Sequence, residues 1–146
     1  MSLIHRSVAL SKDPDMVIEY ISDVRNHPAF ISALREVSDL SGDSHKLGTT
    51  WKWTFVMAGV EIQGGAETIA FEPGKLFSYK TTGGVDSKFT YRVEGDGKEH
   101  HLIVEVDYEA PAGVLGKVLD KAIVERHNEA EADRTAQNLR TILSDQ

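Results

Sequence analysis

Between residues 45 and 110 the apolar positions recur at every second residue, the period of strands that bury one face. Trp51, Trp53, Phe55 and Met57 share one side of such a strand, while Lys52, Thr54 and Val56 share the other. The same alternation runs through Phe89, Tyr91 and Val93 and again through Leu102, Val104, Val106 and Tyr108, and Leu76 to Thr81 forms a further strand. Val60 to Glu72 is extended as well, and Gly64-Gly65 within it predicts a bulge or bend. Turn residues at Ala58-Gly59, Pro73-Gly74-Lys75, Gly83-Gly84 and Gly95-Asp96-Gly97 keep every connection short, as an antiparallel meander requires.

The ends of the chain read differently. Val8 and Leu10 alternate with polar neighbours as a short first strand that stops at Lys12-Asp13-Pro14. Asp13 can cap a helix and Pro14 suits its first position, after which Met16, Val17, Tyr20, Ile21 and Val24 sit at helical spacing. Asn26-His27-Pro28 is expected to break that helix, with a second short one over Ala29 to Leu34 and a brief strand over Val37 to Leu40. From Ala112 to Leu143 the period lengthens to that of a long helix, on which Leu115, Val118, Leu119, Ala122 and Ile123 form one apolar stripe. The pattern predicts one α+β domain spanning residues 1–146. A curved antiparallel sheet of six or seven strands wraps the C-terminal helix, and two short helices follow the first strand.

Composition narrows the function classes. No apolar run of this 146-residue chain approaches the roughly 18 residues that span a bilayer, so stable membrane insertion is not expected. The absence of cysteine removes disulfides and thiolate chemistry, and the N-terminal residues carry no signal-like apolar core, so the expected location is cytoplasmic. A formal charge of −7 without a basic face argues against a nucleic-acid partner. The six histidines show no metal-ligand spacing, and neither a phosphate loop, a dinucleotide fingerprint nor a nucleophile elbow occurs, so no metal and no cofactor is expected.

Val17-Ile18-Glu19-Tyr20-Ile21-Ser22-Asp23, followed by Pro28 and Phe30, resembles the opening motif of the START and Bet v 1-like superfamily, in its bacterial polyketide cyclase/dehydrase branch. Phe71-Glu72-Pro73-Gly74-Lys75-Leu76 looks like the turn between that family's middle strands, and the Gly113-to-Leu143 stretch lies where its gripping helix belongs. The resemblance implies a helix-grip fold. It also implies a cavity between sheet and helix that holds a small hydrophobic or aromatic molecule, such as a lipid or polyketide. The family includes carriers and cyclases alike, so fold alone does not choose between binding and catalysis.

In such a fold the inward rings either line a cavity or fill it. The candidates are Trp51, Trp53, Phe55, Met57, Phe77, Tyr79, Phe89, Tyr91, Val104 and Tyr108 from the sheet, with Val118 and Ala122 from the helix. Arg126 lies about 20° from Leu115 around the helix and Asp133 returns close to it, which puts both charges on the apolar stripe unless that stripe drifts toward Ala132, Ala136, Leu139 and Leu143, at about 240° to 300°, and leaves them at the rim. An inward Arg126 would clamp an anionic head group or, in a cyclase or dehydratase acting by proton transfer, an enolate, with Tyr91 or Tyr79 as proton donor. His127 and Glu131 read as a solvated face, His101 points outward, and Glu61 and Glu67 either supply a base or decorate an exposed strand. A third reading is a protein-interaction module whose groove takes a partner's helix or strand.

Overall fold

The computed structural model of the chain describes residues 2–57, 59–83, 86–95, 100–109 and 121–143. Its elements in order are β1 (Ser2–Leu10), α1 (Pro14–Ser22), a 3-10 turn (Val24–Asn26), α2 (His27–Phe30), β2 (Leu34–Ser38), β3 (Thr50–Met57), β4 (Val60–Glu72), β5 (Leu76–Thr82), β6 (Ser87–Glu94), β7 (His100–Tyr108) and α3 (Lys121–Ile142). The strands form one antiparallel sheet in the order β1-β7-β6-β5-β4-β3-β2. This is the helix-grip arrangement that the alternation and the terminal helix predict. Leu115, Val118 and Leu119 lie outside the described residues, as do the side chains of Met57, Ala122 and Ile123.

The start of α1 follows its sequence signals: Pro14 opens the helix and the Asp13 carboxylate accepts the Asp15 N–H at 2.8 Å. Its buried side is Val17, Ile18 and Ile21, whereas Met16, expected on the apolar face, is exposed. The break between the two helices comes earlier than Asn26-His27-Pro28: α1 ends at Ser22 and Asp23 is extended. Asn26 donates its side-chain amide to the Tyr20 carbonyl at 2.9 Å, and His27 donates Nε2–H to the Ile21 carbonyl at 2.8 Å. Two side chains therefore satisfy carbonyls that the end of α1 leaves open, and the chain continues through the 3-10 turn into α2, which stops at Phe30. β2 accordingly begins at Leu34 instead of Val37.

β4 is regular where the glycines predict irregularity. Gly64 and Gly65 pair in register with Trp53 and Lys52, and the register shift falls between Thr68 and Ala70. The glycine serves close packing. A Cβ at Gly64 would sit 2.5 Å from the Trp53 ring and 2.5 Å from the Thr82 carbonyl, so only hydrogen lets that indole lie across the strand. The ring is then fixed by its N–H, which donates to the Gly65 carbonyl at 2.8 Å. This register settles Glu61 and Glu67: both fall on the outer face, opposite Val56 and Thr50, and Glu61 pairs with Arg35 at 2.9 Å.

Inside the curve, α1 and α2 cover one end of the sheet and α3 the other. Under the short helices, Phe30, Trp51, Phe77 and Tyr79 surround His27 with ring-to-ring distances of 5.2 to 6.5 Å. That end is solid core. α3 buries Ala132, Thr135, Leu139 and Leu143. Counted from Leu139, Arg126 lies about 140° round the helix and Asp133 about 120°. The buried stripe has therefore rotated away from the line through Leu115. Asp133 and Glu129 flank β1, where Arg6 bridges both at 2.7 and 2.6 Å. On the opposite flank the Glu131 carboxylate accepts from Ser32 Oγ at 2.7 Å, the Ala33 N–H at 3.0 Å and Arg134 Nη2 at 2.7 Å, and Asn138 donates to the Phe30 carbonyl at 3.1 Å.

Candidate functional site

Where α3 passes over β1, β6 and β7 the side chains meet only in part, Ala132 packing with Ile4 and Tyr108, and a cavity of about 90 Å³ remains. Its floor is the inner face of the sheet: Ile4 from β1, Phe89 and Tyr91 from β6, and Val104, Val106 and Tyr108 from β7, with Ile31 and Phe55 closing one side. Its roof is one flank of α3, from His127 and Asn128 through Glu131 to Ala132 and Thr135. The period-two alternation of β6 and β7 aims these rings and branched chains inward, and the wall they make is predominantly apolar.

Most polar atoms in the wall are engaged. The Thr81 and Ser87 hydroxyls bond each other. Glu131 is held by the three donors described above. Burial pushes its carboxyl up, but hydrogen bonds from Ser32, Arg134 and the Ala33 N–H outweigh that and hold it below the usual range, so it is ionised at neutral pH. Two wall residues keep a polar atom sealed from water: His127 Nδ1 is buried without a hydrogen-bond partner, and the Tyr91 hydroxyl, on a fully buried side chain, lies beside the Tyr79 phenol. Burial pushes the Tyr91 phenol well above its ordinary value, so it is a protonated donor at neutral pH.

The predicted residues divide three ways. Phe55, Phe89, Tyr91, Val104 and Tyr108 form cavity wall. Trp51, Trp53, Phe77 and Tyr79 belong to packed core, because the short helices fill the sheet in front of them. Tyr79 stacks on Phe89 at 4.9 Å, and its burial, with the neighbouring Tyr91 phenol, keeps it protonated. Val118 and the side chains of Met57 and Ala122 lie outside the described residues. Arg126 is exposed and absent from the wall, because α3 turns that side to solvent. His127 and Glu131, read from the sequence as a solvated face, are instead roof residues. Phasing the helix from Leu139 brings Glu131 to about 80° from the buried stripe but leaves His127 at about 120°, so helical spacing alone does not find His127.

Residues 1–144 match the family described as polyketide cyclase / dehydrase and lipid transport. Among solved structures the chain is similar to the Zhui aromatase/cyclase of Streptomyces sp. R1128, at 16% identity and a TM-score of 0.70, covering 97% of this chain and 95% of that one. A START superfamily protein of Mycobacterium smegmatis is similar at 12% identity and a TM-score of 0.69, covering 96% and 98%. Ginseng major latex-like protein 151 from Panax ginseng is similar at 18% identity and a TM-score of 0.60, covering 88% and 95%. At these identities the likeness is one of fold. No curated protein matches the chain in sequence.

Proposed function

The chain belongs to the polyketide cyclase/dehydrase and lipid transport family, and from that premise we propose that it binds a small hydrophobic molecule in the cavity between the sheet and α3. The observation that carries this reading is the cavity itself: about 90 Å³ of predominantly apolar space between the inner face of the sheet and α3. Binding is favoured over cyclisation because Arg126, the cation that an enolate would need, is exposed and outside the wall. Among the described residues no Lys or Arg takes its place there. An interaction module is favoured less. The exposed large apolar side chains among the described residues are four, Leu3, Met16, Leu47 and Ile142, each on a different segment of the chain. Among the described residues no helix is long and apolar enough to cross a membrane.

A ligand that binds only the folded state adds about 2.7 kcal/mol of stability at a hundredfold excess over Kd, so thermal unfolding with a panel of lipids and polycyclic aromatics tests the reading. Active compounds should raise Tm in the native chain and not in Ala132→Phe, which fills the roof. A panel without any shift would remove the proposal.

A further inference from the structure

We infer that part of α3 is a flap with an ionic catch. Residues 125–134 lift from the β1 side of the sheet to take in a molecule larger than the cavity, residues 138–143 stay seated, and Arg6 is the catch that salt releases. The inference rests on the binding function proposed above and adds to it what has to move.

Size sets the requirement. A cavity of about 150 Å³ is enough to enclose one benzene ring, and this one measures about 90 Å³, so a lipid chain or a fused ring system is enclosed only if a wall gives way. The floor is one continuous ladder of seven strands, whereas the roof is fastened unevenly along its length. Leu139 and Leu143 are buried in the main core, and Asn138 donates to the Phe30 carbonyl at 3.1 Å. From 125 to 134 the one buried side chain is Ala132, which joins Ile4 and Tyr108 in a small cluster apart from that core. An alanine offers little apolar area to hold a helix down. Ile4 and Tyr108 also line the cavity, so raising Ala132 off them opens it directly.

The two flanks decide which edge rises. Glu131, with 13% of its side chain exposed, is bound to Ser32 and to the Ala33 N–H and serves as the axis. On the β1 edge Arg6 holds Glu129 at 2.6 Å and Asp133 at 2.7 Å, but both carboxylates are largely exposed, and such pairs are weak and screened by salt. A ligand that needs the lifted state binds in proportion to the fraction of chains that are lifted, so whatever loosens Arg6 strengthens binding.

Amide exchange read by mass spectrometry on the ligand-free chain, and titration with the neutral fluorophore N-phenyl-1-naphthylamine, test the flap. Arg6→Met, which keeps an apolar stem, should speed exchange over residues 125–134 roughly twofold to fivefold, the worth of two exposed ion pairs, and leave 138–142 unchanged. In about 20 mM NaCl the variant should bind the fluorophore tighter by a similar factor, and in about 0.5 M NaCl the native chain should reach the variant's affinity. Exchange that Arg6→Met leaves unchanged over 125–134, or a fluorophore affinity that neither the variant nor salt raises, would overturn the flap and leave the cavity reading standing. A fluorophore that binds neither protein would overturn the cavity reading, and the flap as a way into it.

Discussion

At Gly64 the absence of a side chain is what seats Trp53, and the consequence is measurable. Gly64→Ala must move either the indole or the Thr82 carbonyl, and with the indole goes its bond to Gly65, so a loss of about 2 to 3 kcal/mol in urea unfolding is expected. A change below 0.5 kcal/mol would mean that the ring relocates freely. His27 shows a different residue-level constraint. Burial among rings lowers its pKa from 6.5 to about 4, so the folded chain refuses a proton that the unfolded chain accepts. The unfolded state therefore binds more protons between these values, and stability falls as pH drops from 6.5 towards 4, by roughly 3 kcal/mol from this residue at 1.36 kcal/mol per pH unit. His27→Gln keeps a donor for the Ile21 carbonyl and should flatten that part of the stability profile relative to the native chain. Parallel profiles for the two proteins would place the acid sensitivity in other groups.

For the elements, the two flanks of α3 are fastened unequally. On the β1 side Arg6 reaches Glu129 and Asp133, but those carboxylate side chains are 55% and 69% exposed, and water and salt screen the pairs. A double-mutant cycle of Arg6→Met with Glu129→Gln should give a coupling on the order of 0.5 kcal/mol that fades in high salt. On the other side the Glu131 carboxylate is shielded and takes three donors, one of them a backbone N–H. Glu131→Ala should cost about 2 kcal/mol and speed amide exchange around Ser32 and Ala33. If the Arg6 cycle proved the larger, this ranking of the flanks would be reversed. Elements whose faces differ sharply, such as β3, β6 and β7, were legible from alternation alone. The path through Asn26-His27-Pro28 was not, because the partners that keep it helical are carbonyls on the preceding turn, and a Pro pattern carries no trace of them. The rotation of the α3 face is legible as well: an apolar stripe started at Leu115 does not stay on one side over so many turns, and Ala132, Ala136, Leu139 and Leu143 mark where the contact goes.

Across the whole molecule, one concave surface does two jobs. The end beneath α1 and α2 is filled by rings around His27, and the end beneath α3 is left partly hollow. Sequence alternation marks inward positions without saying what meets them, so Trp53 and Phe89 look alike on the page although one is core and the other wall. The difference predicts unequal costs of truncation. Leu139→Ala, at a fully buried site in the core, should lose about 3 kcal/mol, while Val106→Ala, beside space that already exists, should lose about 1 kcal/mol. Equal losses on chemical denaturation would argue that the hollow end closes up in solution.

The sheet order also dictates a sequence of events. β1 leaves its place at the margin unmade until β7 arrives, since Ser2 lies opposite Tyr108 and Leu10 opposite His100. While the chain is being synthesised the first strand thus waits, an unmated hydrogen-bonding ribbon, until nearly the whole meander has emerged. Only then do its residue Ile4, which floors the cavity, and Arg6, which tethers α3, reach their stations. The receptacle is the last part of the protein to come into being.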